Sequence, residues 1–273
     1  MRANRKLGDR LMATRRNGDG AARSNGRRSA SPTKAVILAG GRGTRLAPYT
    51  SVLPKPLMPI GERAILEIVV EQLAEHGFND ITFCVGHLSH LIRAVFDSRS
   101  MTEAKITYFQ EEEALGTAGP LPLVEGLDQT FLAMNGDVLT TLNYRALVSH
   151  HRRSHNVLTI ATHPRTVKID YGVLHLEGVD LRSGLVQAYE EKPEIESLVS
   201  MGVYVLEPRA LDYIPRGSYF DIPDLVNSLL SEGERVGAHT YDGLWFDIGR
   251  KDDYEQAVEA WDAAAQRLER TLA

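Results

Sequence analysis

Lys34–Ile60, KAVILAGGRGTRLAPYTSVLPKPLMPI, is the stretch whose reading decides the fold. Ala35 to Ala39 is a short apolar run with the length and Val/Ile content of a buried strand, and it breaks at Gly40, Gly41 and Gly43. Glycines there let the backbone turn sharply and bring its N–H groups close to a ligand, as a phosphate cradle requires. Arg45 and Lys55 add two cations close behind that turn, so the loop can meet phosphate oxygens with dipoles and with full charges. A P-loop would need Gly-Lys-Ser/Thr, whereas Gly43 is followed by Thr44 and Arg45. A dinucleotide fingerprint counted from Gly41 would need a small residue where Leu46 stands. The guest this loop suits is a polyphosphate outside both of those classes.

G-G-x-G-T-R-L followed by L-P-K-P-L-x-P-I resembles the signature of the sugar-1-phosphate nucleotidyltransferases. The resemblance implies that Leu38, Ala39, Gly40, Gly41, Gly43 and Thr44 hold the nucleotide. It also implies that Arg45 faces the departing pyrophosphate and Lys55 steadies the phosphates.

Outward from this stretch the chain alternates. Ala64 to His76 has helical spacing with Gly77 as its stop, Ile81 to Val85 reads as a strand, Leu88 to Phe96 as a helix, and Ile106 to Gln110 as a third strand. Alternation of this kind predicts an α/β fold, a Rossmann-like and mostly parallel central sheet flanked by helices. His87 and His90 have no Cys or carboxylate beside them and are read as polar residues of a helix start. The segment QEEEALGTAGPL, from Gln110, falls where ligands bind in such sheets, beyond the carboxyl ends of the strands. The resemblance places the nucleobase here, with Gln110, Gly116 and Thr117 as contacts. L-G-T-A-G-P is most similar to members that use GTP and mannose 1-phosphate. Thr117 is also read as a cap for a helix that follows it.

Phe131 to Met134 is a fourth buried strand, ending in Asn135-Gly136-Asp137. A carboxylate past a strand end and facing phosphates suits Mg²⁺, a hard cation that shares oxygen ligands with its substrate. Taken alone the tripeptide is an ordinary turn; in the resemblance Asp137 is the first metal carboxylate and a catalytic residue, and Gly136 lies on the sugar side. His150, His151, Arg152, Arg153 and His155 close a helix from Tyr144, where cations suit the dipole. From Val157 the texture is strand-like, which predicts an added antiparallel portion packed beside the first sheet. In that half Asp170-Tyr171-Gly172-Val173 and Glu190-Glu191-Lys192-Pro193 match the family's sugar side. The resemblance gives sugar contacts to Tyr171, Gly172 and Glu191, the sugar phosphate to Lys192 as a catalytic residue, and a neighbouring contact to Met201. Trp245-Phe246-Asp247-Ile248-Gly249 sets a carboxylate among apolar neighbours, where an unpaired charge is costly. In the resemblance Asp247 corresponds to the family's second metal carboxylate, which comes from a W-x-D-x-G segment. The implied substrates are an NTP and a sugar 1-phosphate, with Mg²⁺ as cofactor. A nucleotide-sugar-binding regulatory subunit is disfavoured by the intact charged set, and a cyclitol or amino-alcohol phosphate acceptor by Glu191.

Composition sets the remaining bounds. The 273 residues are 43% hydrophobic and 25% charged, enough for a sizeable core, and no apolar run approaches the roughly 18 residues of a membrane span. Residues 1–33 hold nine Lys and Arg against Asp9 and Asp19, with little to bury, and read as a disordered basic tail. Taking that +7 from the chain's −5 leaves −12 on the other 240 residues, which argues against a nucleic-acid partner. Residues 34–273 are expected to form one catalytic domain. The single Cys84, inside an apolar run, suits a buried thiol and a cytoplasmic protein. The oligomeric state, a homo-oligomer included, is left open.

Overall fold

The first strand, β1 (Ala35–Ala39), lies inside a seven-stranded sheet with parallel partners on both sides. The computed structural model describes residues 34–98, 103–177, 184–249 and 253–261. Residues 1–33, read above as a disordered basic tail, and residues 262–273 lie outside the described residues. After β1 come a short hairpin, β2 (Pro59–Ile60) and β3 (Arg63–Ala64), then α1 (Ile65–Glu75), β4 (Asp80–Val85), α2 (Ser89–Asp97) and β5 (Lys105–Gln110). β6 (Phe131–Asn135), β7 (Val138–Thr140) and α3 (Tyr144–Ser154) follow. The second half contributes β8 (Leu158–Lys168), β9 (Gly172–Leu176), β10 (Val186–Glu191), β11 (Glu194–Leu206), α4 (Ile222–Ser231), β12 (Val236–Thr240) and β13 (Trp245–Asp247).

The main sheet has the order β5-β4-β1-β6-β11-β8-β12. Pairing is parallel except where β11 meets β6 and β8. The antiparallel strands therefore continue the first sheet instead of packing beside it as expected. Only the outer parts of β8 and β11 leave it, as a ribbon joined to the exposed two-stranded β9–β10 hairpin. β1 is apolar throughout because both of its faces are covered. Ala35 and Ile37 pack with Ile65, Val69 and Leu73 of α1 on one face, and Val36 packs with Phe131, Leu225 and Leu229 on the other. Its neighbours β4 and β6 run off to opposite sides, so the crevice beyond Ala39 is the position where open α/β sheets take ligands.

Two helix boundaries have local causes. Gly77 takes φ +82 just after α1, a conformation glycine adopts without strain, and α2 begins one residue late because Leu88 takes φ +56. In the basic cluster His151 is fully buried, its Nδ1 2.8 Å from Thr159 Oγ1 and its Nε2 3.0 Å from Glu207 Oε1, which makes it part of the packing.

Burial lowers the pKa of His151, against the opposing pull of Glu207, and burial with nearby His150 and Arg153 lowers that of His239. Both rings fold neutral and protonate more readily when unfolded. Their contribution to stability is present above the ordinary histidine value of about 6.5 and is lost as pH falls below it. Denaturant melts between pH 7.5 and pH 5.5 should show stability falling on acidification, with a shallower slope in His239→Gln. An unchanged slope in that variant would remove His239 from the account.

Candidate active site

β1 runs into Gly40, and a cavity of about 450 Å³ opens there, lined by residues 38–41, 43–45, Lys55, Glu111, Asn135 and Asp137 and by parts of two loops discussed below. Gly43 sits at φ +63, followed by a 3-10 turn, Thr44–Leu46, that buries Leu46 and leaves Thr44 and Arg45 at the cavity. Thr50 Oγ1 donates to the Gly43 carbonyl at 2.8 Å, fixing the loop from behind. A Cβ on Gly41 would meet open space, whereas one on Gly40 would come within 2.3 Å of Glu111 Oε1. Gly43 is the one most firmly held to glycine, by its positive φ and by Thr50 and Lys55 carbons 3.1–3.3 Å from where a Cβ would stand, whereas at Gly40 the neighbour is the movable end of Glu111.

The two carboxylates singled out in the sequence are brought together by a strand pair. β7 and β13 run antiparallel with Asp247 opposite Val138, so Asp137 and Asp247 stand at adjoining ends of that pair. The Ile248 amide donates to the Asp137 carbonyl at 3.1 Å, and Trp245 Nε1 donates to the Met201 carbonyl at 3.0 Å, anchoring β13 to β11. Lys55, only 8% exposed, pairs with Asp137 Oδ2 and lies 3.9 Å from Asp247 Oδ1. Arg45 Nη2 and Asp247 Oδ1 each lie 3.4 Å from the point where a Cβ of Gly249 would stand, which sets the guanidinium and the carboxylate on either side of that residue's backbone. Burial, then the neighbouring Asp137 charge, raises the pKa of Asp247, with Lys55 and Arg45 pulling the other way.

Asp137 Oδ1 is buried and has no hydrogen-bond partner. A pair of hard oxygen donors with a spare lone-pair oxygen fits Mg²⁺, which fills its other positions with water and substrate phosphate. Among the described residues no cluster of three or more His, Cys, Asp or Glu could hold a metal ion.

At the other end of the cavity the L-G-T-A-G-P loop is tied to residues 218–222 across more than a hundred positions. Phe220 donates to the Leu115 carbonyl, and its own carbonyl accepts from Ala118 and Gly119, all at 2.9 Å. Thr117 donates from its amide (2.8 Å) and its hydroxyl (2.9 Å) to Asp221 Oδ1, and the hydroxyl accepts from the Ile222 amide at 2.8 Å. Thr117 thus caps a helix, but the helix is α4; a 3-10 turn, Leu121–Leu123, stands where a helix after Thr117 was expected. Gly116, at φ +79, and Gly119 are needed for this seam: a Cβ on either would lie within 2.6 Å or less of a backbone carbonyl.

The sugar-side residues are less gathered. Gly172 and Glu191 are cross-strand partners on β9–β10, Tyr189 OH donates to Glu191 Oε2 at 2.5 Å, and Tyr171 and Lys192 are exposed beside them, Lys192 at φ +49. None of these lines the 450 Å³ cavity. Met201 is buried in the core and offers its carbonyl to Trp245. A Cβ on Gly136 would press on Ile37, Pro56 and Ala39 at 3.2–3.3 Å.

Gln110 lines an adjoining cavity and donates to the Glu111 carbonyl at 3.2 Å. Glu111, Tyr219 and Asp221 line the main cavity without having been singled out in the sequence. Glu111 is the first of three consecutive glutamates, and nothing in that run marks which one turns inward. Asp221 precedes Ile222-Pro223, an N-cap position legible as a helix start but silent on its partner 104 residues away.

The Nucleotidyl transferase family model matches residues 34–263. A UTP–glucose-1-phosphate uridylyltransferase from Synechocystis sp. is 34% identical over 245 residues, which cover 82% of this chain and 62% of that protein. A mannose-1-phosphate guanylyltransferase catalytic subunit beta from Xenopus tropicalis is 31% identical over 228 residues, with 81% and 62% covered. The chain thus spans about three-fifths of the length of these curated relatives. HddC from Yersinia pseudotuberculosis shares the fold at a TM-score of 0.66 and 24% identity, over 84% of this chain and 99% of that one.

Thr117→Val removes the hydroxyl that accepts from the Ile222 amide at the start of α4 and donates to Asp221. It should lower unfolding free energy by about 1–2 kcal/mol, read from urea melts. A loss under a few tenths would show that the seam does not depend on this hydroxyl.

Proposed function

Because the chain belongs to the nucleotidyl transferase family, we propose that it joins an NTP to a sugar 1-phosphate, releasing pyrophosphate and an NDP-sugar. The observation that carries this reading is the convergence of Arg45, Lys55 and Asp137 beside a glycine loop, in a cavity of the size nucleotides use, with Asp247 3.9 Å from the Lys55 ammonium.

The reaction needs no protein nucleophile. A phosphate oxygen of the sugar 1-phosphate attacks the α-phosphorus in line with the departing pyrophosphate; one P–O bond forms, one breaks, and the pair leaves with pyrophosphate. Catalysis is then alignment and charge. Arg45 and Lys55 take up charge on the phosphates of the leaving side. Asp137 and Asp247 would hold Mg²⁺, which supplies charge neutralisation at the phosphoryl oxygens. Lys192, on its exposed hairpin, is assigned to the incoming phosphate, and Tyr171, Gly172 and Glu191 to the sugar.

For the finer reading we favour GTP with mannose 1-phosphate or a related hexose or heptose 1-phosphate. The spelling of the loop from Leu115 to Pro120 supports it, as does similarity to the Xenopus guanylyltransferase subunit. The Synechocystis relative is a uridylyltransferase of glucose 1-phosphate, so UTP and glucose 1-phosphate form the competing pair.

Pyrophosphate release with Mg²⁺, across the four NTPs against mannose, glucose and heptose 1-phosphates, should show turnover with GTP and one of these sugars. In that pairing Asp137→Ala and Asp247→Ala should each lower kcat at least about a hundredfold. Near-normal turnover in both variants would sink the metal assignment.

A further inference from the structure

On the exposed β9–β10 hairpin the strand pairing decides which side chains meet. Gly172 pairs with Glu191 and Leu174 with Tyr189, so Tyr189 and Glu191, two apart on β10, share one face. The adjacent Glu190 pairs with Val173 and turns to the opposite face, where its carboxylate lies 3.8 Å from His175 Nε2. Two neighbouring glutamates are thus given different partners, and only Glu191 is left to Tyr189.

The Tyr189 hydroxyl donates to Glu191 Oε2 at 2.5 Å. To reach it the phenol lies across Gly172, its diagonal neighbour on β9, and a Cβ at that position would collide with the hydroxyl and with the ring carbons beside it. Gly172 is not among the glycines with positive φ, so it is held to glycine by the room the phenol takes and not by its backbone angles. Among the described residues Glu191 has no other hydrogen bond, and its Oε1 is left as an acceptor. An exposed glutamate without such a tie moves among several rotamers, and a ligand that needs one of them must order the side chain as it binds.

Resting on the function proposed above, we propose that Tyr189 is a positioning residue for the sugar: its hydroxyl holds the Glu191 carboxylate over the Gly172 face, with Oε1 presented to the sugar's hydroxyls. A phenol bound to a carboxylate is a charge-assisted pair, strong enough to favour one rotamer even on an exposed strand. Gly172 serves the same arrangement by making space for the ring. The contribution is preorganisation, so it belongs to sugar binding and not to the transfer step.

Steady-state kinetics with the NTP and sugar 1-phosphate that the wild-type chain turns over test this. Tyr189→Phe removes the hydroxyl and keeps the ring over Gly172. It should raise KM for the sugar 1-phosphate about three- to tenfold, while kcat and KM for the NTP stay within about twofold. In a Glu191→Ala background there is no carboxylate to hold, so adding Tyr189→Phe should change nothing further; a hydroxyl that only stabilised the hairpin would carry its effect into that background. An unchanged sugar KM in Tyr189→Phe, a fall in kcat alone, an equal loss in both backgrounds, or a normal sugar KM in Glu191→Ala would each overturn the inference and leave nucleotidyl transfer standing. Absence of turnover by the wild-type chain with every NTP and sugar 1-phosphate would overturn that reading and this inference with it.

Discussion

A lysine withdrawn almost completely from water must have its counter-charges beside it, and the region around Lys55 is arranged to meet that demand. Its ammonium is paired with Asp137 and lies within 4 Å of Asp247, and the short β7–β13 pairing is what sets the two carboxylates side by side. Removing either partner from such a site leaves a charge poorly compensated, so position and electrostatics are fixed together. The strand pair in turn depends on Trp245, whose indole N–H is bound to the Met201 carbonyl on β11. The main sheet therefore holds Asp137 directly, two residues past the end of β6, and Trp245 adds an anchor on the side of Asp247.

The other end of the cavity rests on a different kind of constraint. The loop from Leu115 to Gly119 has little hydrogen bonding of its own and is given its shape by residues 218–222, through backbone pairing and the shared cap of Thr117 and Asp221. Glycine at 116 and 119 is what lets the two segments touch. The same residues that resemble a base-binding motif thus also hold the fold closed between the first and second halves.

Much of this was legible in the sequence, for physical reasons that differ by element. The buried parallel strands and their glycine-terminated turn were readable because burial on both faces makes β1, β4 and β6 continuous apolar runs. Helix ends were readable where a single residue decides them, as Gly77 does. The convergence of Asp137 and Asp247 was reached only through the family resemblance, since strand pairing across a hundred residues leaves no local mark. Glu111 was hidden among Glu112 and Glu113 because three identical neighbours carry no signal of direction. Thr117 was read as a cap, but for the wrong helix: side-chain chemistry shows that a hydroxyl will cap something, and only the tertiary fold supplies the partner. The added antiparallel portion was expected from short runs separated by turns and is present, but β11 pairs directly with β6, so it extends the first sheet where packing beside it was expected.

The seam between the 115–119 loop and residues 218–222 also bears on the order of assembly. Both ends of the cavity close through contacts that span about a hundred residues of chain, Thr117 with Asp221 at one and Val138 with Asp247 at the other. Contacts of that span are reached late, because the loop between them must be closed before they repay its entropy. A chain emerging from the ribosome can lay down β1, β4 and β6 while its cavity still lacks a wall. Nucleotide would then act on this protein as a ligand of the finished state alone, adding its binding energy to the last step of folding and none to the first.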